Sequence, residues 1–409
     1  MPGRLVKKTW VHDPTIHAPA KYKRACHYEA FVPQKLGDMR LTLDAEVAGV
    51  VSEAENAIQQ LNATAGPELD PLARLLLRTE SIASSKVEGL QLGVRELARA
   101  EARVDDGGRA SQTAMEVLAN IDAMMVAIHE ASIVSEFGIA QIAAIHQRLL
   151  APDRPKIAGR VRTQQNWIGG NDYNPCGADF VPPPPDEVDA LLRDLCESIN
   201  SDLLPPLVQA ALVHAQFETI HPFEDGNGRT GRALVHVVLK RRNVAPRYLP
   251  PISVALANAK GRYIAGLTAF RADGVGQWIE YFAGATARSA RLAAEYVKAT
   301  HELMKEWRLR LSSLPEPPRS DATAWALIDL LPAHPVITAS AAVGATGRAT
   351  GRVYDAIRDL EAAGVLIPLA KRPREQSSSD DRSRRKRSWE VAGLMQLIER
   401  MESGERPNA

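Results

Sequence analysis

The chain has 409 residues, 45% hydrophobic and 24% charged, which is ordinary for a globular protein and more than one core usually organises. With 50 Lys and Arg against 49 Asp and Glu the net charge is +1, so no global field favours nucleic acid or an anionic membrane. The start MPGRLVKKTW lacks the apolar run of a secretion signal, and no later run is long enough to cross a bilayer. Cys26, Cys176 and Cys196 are dispersed and odd in number; they fit neither a metal spacing nor a disulfide framework, and free thiols in a reducing cytoplasm are expected.

Residues 1 to about 40 are rich in Pro, Tyr and Lys without a clear period and read as a wrap over a domain. Apolar residues recur at helical spacing from Leu41 to Leu61, as in LDAEVAGVVSEAENAIQQL. This spacing resumes from Asp70 in PLARLLLRTESIASSKVEGL, where Pro71 stands just inside the start and Gly89 just past the end. ELARAEARV, SQTAMEVLANIDAMMVAIHEA and FGIAQIAAIHQRLL add three more helices. AGRVRTQQNWIGGNDYNPCGADFVPPPPDEV then breaks the pattern and suggests a hairpin followed by a proline-stiffened loop. Helices return at Asp186, through PLVQAALVHAQFETI, after the glycines near Thr230, and over Ser253 to Ala269 and Gly276 to Met304. SSLPEPPRS is a linker; beyond it come helix, short helix, turn, longer helix and strand, then a basic hairpin and a closing helix.

HPFEDGNGRTGR, His221 to Arg232, is neither core nor an ordinary turn, because it holds charges of both signs and three glycines in one run. Gly226 and Gly228 around Asn227 let successive amides face one concavity, and a helix starting behind it adds positive potential: an anion nest for phosphate. Asp225 stands where a magnesium ion could bridge phosphate oxygens, and Arg229 and Arg232, one turn apart, could reach the same polyphosphate. His221 could take a proton from an attacking hydroxyl. Together these describe nucleotidyl or phosphoryl transfer.

The run resembles the signature of Fic proteins, His-x-Phe-x-Asp/Glu-Gly-Asn-Gly-Arg-x-x-Arg, and matches it throughout. The resemblance implies transfer of AMP from ATP to a protein hydroxyl, with Mg2+. It makes His221 the general base and Asp225 the metal ligand, and it assigns Gly226, Asn227, Gly228, Arg229, Thr230, Gly231 and Arg232 to the nucleotide. Gly228, where kinase-type relatives carry lysine, favours AMP. GRVRTQQNWIGG with VPPPP resembles the family's flap hairpin, which places Asn166, Trp167, Ile168 and Gly169 along the nucleotide or target cleft. SVALANAKGRYIAGL resembles the helix pair closing the adenine pocket, with Tyr263 stacking; relatives often have Tyr-Tyr where this chain has Arg262-Tyr263.

Upstream, SIASSKVEGL puts Ser84 and Glu88 four apart, on one helical face. Ahead of such a core it resembles the inhibitory helix of the family's self-restrained class, which implies that Glu88 pairs with Arg232, withholds it from the γ-phosphate, and in some relatives helps remove AMP. The stretch from Ile337 to Leu366 resembles a winged helix-turn-helix, with Ala349 to Ala363 as recognition-type helix, Arg348, Arg352 and Arg358 placed to meet phosphates or bases, and Arg382 to Arg387 as wing.

The expectation is therefore a mainly α, cytoplasmic Fic enzyme with a β-hairpin flap. It comprises an N-terminal helical region with the inhibitory helix (1–110), a catalytic core (111–310), a linker (311–320) and a winged-helix module (321–409). Its partners would be a target protein, a second copy in a homodimer and, through the wing module, DNA or protein, but no membrane. The competing reading is a transcriptional regulator that senses nucleotide.

Overall fold

The structure, a computed structural model, describes residues 3–12, 14, 15, 17–63, 70–369 and 387–407. In chain order these form β1 (Gly3–Trp10), β2 (Cys26–Pro33), α1 (Ala45–Ala63), α2 (Asp70–Val87), α3 (Val94–Asp105), α4 (Gln112–His129) and α5 (Ile139–Leu150). Then follow α6 (Pro185–Asn200), α7 (Pro206–Ile220), α8 (Asn227–Arg241), α9 (Ile252–Asn258), α10 (Lys260–Arg271) and α11 (Val275–Ser312). The last elements are α12 (Thr323–Leu330), β3 (Val336–Thr338), α13 (Ala339–Thr346), α14 (Thr350–Ala362), β4 (Leu366–Pro368), β5 (Ser388–Val391) and α15 (Leu394–Ser403). The fold is mainly α, as expected from the periodicity.

Two compact units share these elements, each drawn from three stretches of chain. The first takes Met1–Ala57, Asp122–Pro246 and Ala259–Ala287; the second takes Ile58–Ile121, Arg247–Asn258 and Arg288–Ala409.

In the first unit α7 is buried from Leu207 to Ile220, so its sequence shows no polar face. It lies against α8 at a point where only a glycine fits: a Cβ on Gly231 would stand 2.6 Å from Glu218 Oε1 and 3.0 Å from Phe217 Cδ1. Trp278 of α11 is fully buried and donates from Nε1 to Ala211 O at 2.8 Å. Asp194 of α6 accepts the backbone N–H groups of Leu36 (2.6 Å) and Gly37 (3.0 Å), which anchors the chain after β2.

Four expectations change here. Residues 3–33 are not an irregular wrap: β1 and β2 pair antiparallel from Gly3↔Pro33 to Trp10↔Cys26. Solvent reaches both faces of β1, so its side chains do not alternate cleanly. Cys26 and Cys176 are not free thiols but form a disulfide across 150 residues. The disulfide joins the start of β2, at Cys26, to the loop that carries Cys176, a meeting that spacing along the chain cannot announce. Only Cys196 is a free cysteine. The hairpin expected after residue 160 reduces to one antiparallel bridge, Ile168↔Phe180. Positive φ at Gly169 and Gly170 and the prolines at 175 and 182–185 leave too few extended donors for a ladder. Glu88 falls one residue beyond α2, in a turn where its N–H donates to Ser85 O at 3.1 Å.

In the second unit β3, β5 and β4 form an antiparallel sheet in that order, with Ile337 opposite Trp389 and Ile367 opposite Glu390. Its inner face packs with α12, α13 and α14 through Leu327, Ile337, Ile357, Leu360 and Trp389. Thr338 ends β3 and caps α13, accepting the Ala341 N–H at 3.1 Å. Glu80, buried in α2, accepts the N–H (2.8 Å) and hydroxyl (2.5 Å) of Ser253 in the first turn of α9, where a carboxylate suits the helix dipole. The basic stretch from Arg382 to Lys386, expected as a wing, lies outside the described residues.

Candidate active site

The run from His221 to Arg232 sits where α7 ends and α8 begins. His221 closes α7 in the left-handed region, φ 49° and ψ 59°, with its N–H donating to Phe217 O at 2.9 Å. That backbone is costly for a residue with a Cβ and persists only where neighbours impose it. Two side chains do so here. Arg162 Nε (2.8 Å) and Asn166 Nδ2 (3.2 Å) both donate to the His221 carbonyl.

Arg162 is buried and extends further. Its guanidinium also donates to Gln164 O (2.9 Å), Pro183 O (2.6 Å) and, more weakly, Ile220 O (3.4 Å), and its N–H to Pro222 O (2.9 Å). One cation thereby joins both limbs of the flap segment to the carboxyl end of α7, where the helix dipole favours positive charge. Burial pulls its pKa down to about 10, opposed by Tyr28, which leaves it charged at neutral pH.

The loop after His221 is fixed from below. Phe223 is fully buried, and the His146 imidazole lies flat on it. His146 Nδ1 accepts the Gly159 N–H at 2.9 Å, so the ring proton is on Nε2, which donates to Asp225 O at 2.9 Å. Burial drives the His146 pKa down to about 4, with the Asp225 carbonyl bond and charge opposing. Asn227 grips Phe223 as well, accepting its N–H and donating to its carbonyl, both at 2.9 Å. Its amide therefore shapes the loop and leaves the concavity to backbone.

Gly226 caps α8 at φ 73°, a left-handed turn of the kind expected of the motif's glycines, whereas Gly228 lies inside α8 without positive φ, because the helix starts at Asn227 rather than near Thr230. The first intrahelical bond runs from Thr230 N–H to Gly226 O at 3.0 Å, so the amides of 227–229 precede the helix's own bonding. Arg229 and Arg232 are buried at 6% and 2% exposure. Thr230 is also buried and Gly231 faces α7, so these two pack the helix pair.

Asp225 Oδ1 accepts the Gly226 N–H at 2.6 Å, and Oδ2 pairs with Arg154 Nη1 at 2.9 Å. Among the described residues no group of three or more His, Cys, Asp or Glu side chains could hold a metal. A single carboxylate beside a phosphate nest does fit Mg2+, which is usually bound through one or two carboxylates plus substrate oxygens.

In the flap segment Asn166 donates to His221 O and to Phe223 O (2.9 Å), clamping the motif. Trp167 Nε1 donates to Asn171 O at 2.6 Å, and Ile168 makes the bridge to Phe180. Phe180 lies under the Arg271 guanidinium, 3.7 Å from ring centroid to Cζ. Tyr263 is 4% exposed, stacks beside His214 and shares a 2.9 Å hydrogen bond with its Nε2. Ser84 is buried in α2 and Glu88 is exposed; both belong to the second unit. The motif and flap residues thus come together in the first unit, Tyr263 with them.

His146, Arg154 and Arg162 were missed in the sequence. A histidine among Ile142, Ile145 and Leu149 and an arginine inside RVRT were the available signals, and both are weak.

Residues 136–239 match the Fic/DOC family, and residues 49–129 match the Fic/DOC family N-terminal region. Protein adenylyltransferase fic-1 of Caenorhabditis elegans is 34% identical over 118 residues, 28% of this chain and 22% of that protein. Protein adenylyltransferase Fic of Nematostella vectensis is 36% identical over 111 residues (26% and 24%), and that of Aedes aegypti 29% over 209 residues (50% and 38%). The matched stretches span less than two fifths of these curated relatives. The crystal structure of a Fic family protein from Desulfovibrio desulfuricans G20 shares the fold, with a TM-score of 0.51 at 20% identity over 86% of this chain and 98% of that one. The loop between α7 and α8 and the motif it carries lie within the stretch that is similar to the Fic/DOC family, and the region that precedes it is similar to that family's N-terminal region.

Proposed function

We propose that this chain is a protein adenylyltransferase that moves AMP from ATP to a Ser, Thr or Tyr hydroxyl of a target protein and releases pyrophosphate. The carrying observation is the complete run from His221 to Arg232, set as a helix end, a pinned loop and a helix start whose first amides precede its own bonding. His221 would take the hydroxyl proton, and the oxygen would attack the α-phosphorus in line. The amides of Gly228 and Arg229, with the Arg229 and Arg232 guanidiniums, would receive the charge that develops on pyrophosphate. Asp225, once released by Arg154, would hold Mg2+, which supplies charge neutralisation along the polyphosphate. The segment from Asn166 to Gly169 would align the target, and Tyr263 would bound the adenine pocket.

Glu88 would restrain the reaction by engaging Arg232; its place in the family's N-terminal region supports this. The reverse reaction, removal of AMP, would use the same carboxylate to orient water. A winged-helix reading of residues 321–409 is supported by the β3-β5-β4 order with α13 and α14 between strands, and the exposed Arg352, Tyr354 and Arg358 of α14 offer a DNA-facing surface. A salt-dependent gel shift with the full chain tests it. Sedimentation of the full chain tests the expected homodimer, and the redox state of Cys26 and Cys176 in intact cells tests the expected cytoplasmic location, where they would be mostly reduced.

The decisive experiment incubates wild type, Glu88→Gly and His221→Ala with ATP and Mg2+ and reads self-modification by intact-mass spectrometry. An AMP adduct at least tenfold faster in Glu88→Gly and absent in His221→Ala is expected. A UMP, phosphate or phosphocholine adduct with the corresponding donor, and none from ATP, would sink the reading. A regulator that only senses nucleotide would modify nothing, and the intact His221 speaks against it.

A further inference from the structure

The flap segment is held less by its own pairing than by the N-terminal β pair. Its limbs meet in one bridge, Ile168 to Phe180, whereas two hydrogen bonds, from Phe31 N–H to Val181 O at 2.9 Å and from Asn174 Nδ2 to Tyr22 O at 3.4 Å, and four further contacts join it to β1, β2 and the turn between them. Trp10 stands edge-on to Trp167 with centroids 5.5 Å apart, Tyr22 stacks on Tyr173 at 5.0 Å, and Phe31 tilts against Phe180 at 6.2 Å. The fourth is covalent: the bond between Cys26, first residue of β2, and Cys176.

Cys176 has otherwise local ties. Its N–H donates to Asn174 Oδ1 at 3.1 Å, and its carbonyl accepts from Asn171 Nδ2 at 3.4 Å. Both cysteines are half-buried, and Ala25, His27 and Gly177 beside them are exposed, so a dithiol can approach the sulfurs. Cys196 offers no relay: it is buried in α6, and burial pushes its thiol up to about 12.

We propose that Cys26 and Cys176 are a thiol–disulfide exchange site for dithiol reductants, a latch that fastens the N-terminal β pair to the flap. The latch stands on this geometry; its effect on target alignment rests on the role proposed above for the flap. A reductant thiolate attacks one sulfur and forms a mixed disulfide, expelling the other cysteine as thiolate. The reductant's second thiol then displaces the first cysteine. The protein gains two electrons and two protons, and the reductant leaves as its own disulfide. Once the bond is cut, the remaining seam is three ring contacts and two hydrogen bonds, so the outer part of the flap around Cys176 can open while Arg162 and Asn166 hold its base and α5, α7 and α8 stay folded.

The test uses the full chain oxidised with oxidised glutathione or reduced with dithiothreitol. Alkylation and peptide mass spectrometry should find Cys26 and Cys176 joined in the first and both alkylated in the second. Amide hydrogen exchange over residues 165–181 should quicken at least tenfold on reduction, with α7 unchanged. Cys26→Ser and Cys176→Ser should each exchange at the fast rate whether or not reductant is present. The proposal is overturned if the two cysteines stay unjoined under oxidant, if exchange is the same in both states, or if the serine variants still respond to reductant. Neither readout needs catalysis, so a failure of the adenylyl-transfer reading would not register in them.

Discussion

The imidazole of His146 lies face to face on the ring of Phe223, centroids 3.7 Å apart and planes within 4°. With both ring nitrogens bonded to backbone, this histidine is a template for the loop from Phe223 to Asp225. His146→Phe keeps the stack and removes both bonds, leaving the half-buried Asp225 carbonyl and Gly159 N–H without these partners. Stability should fall by about 2–6 kcal/mol, at 1–3 for each orphaned group. Self-adenylylation should fall at least tenfold at temperatures where the variant remains folded. Thermal denaturation and initial rates measure the two; an unchanged rate would mean that the loop holds its shape without the template.

Arg162 should separate positioning from binding. In Arg162→Lys one ammonium replaces a fork that reaches four carbonyls, so the left-handed His221 loses part of its support. The expected result is a tenfold or greater loss in kcat with KM for ATP changed less than twofold, since the phosphate nest lies on α8. A rise in KM at constant kcat would place Arg162 with the nucleotide instead.

Gly231→Ala probes the contact between α7 and α8. Glu218 or Phe217 must give way to a Cβ that would lie 2.6–3.0 Å from them, and overpacking of this kind costs about 1–3 kcal/mol. Thermal denaturation should show the loss. A fully stable variant would mean that the helix pair separates freely.

The α helices and the motif were legible because both signals are local: a period of 3.6 residues, and residue types in fixed order over one turn and a loop. Gly226 is the cleanest instance, since a glycine before a helix start predicts the left-handed cap that is observed. The support of the site was not legible. His146 meets Asp225 across 79 residues and Arg162 meets His221 across 59, and neither pairing leaves a trace in spacing. Cys26 and Cys176 failed for the same reason in stronger form, because an odd cysteine count argued against the bond that two of them make. The β1–β2 pair escaped because an exposed two-stranded sheet does not need alternating hydrophobic residues.

In the second unit Glu402 sets a pH dependence. Burial raises its pKa to about 7 from an ordinary 4.5, Glu399 adding to the rise and Arg78 and Lys86 opposing it. A carboxyl with a raised folded pKa favours the folded state while protonated, so its contribution is full below about pH 4.5 and lost as pH rises through about 7. Glu402→Gln should therefore stabilise the protein by about 3 kcal/mol at pH 8 and leave it almost unchanged at pH 4.5. Denaturation of both proteins at the two pH values checks the sign; an equal gain at both would refute it.

The complete burial of α7 also limits how this scaffold can diversify. With no solvent-facing position from Leu207 to Ile220, almost any change there is a packing change, felt at once by the histidine that ends the helix. New target preferences must therefore arise elsewhere, in the loop from Trp167 to Phe180, where ring contacts and one sulfur bond set the boundary. On the adenylyltransferase reading proposed above, a randomised library confined to that loop, with α7 and α8 untouched, would vary the target while leaving the transferred group unaltered.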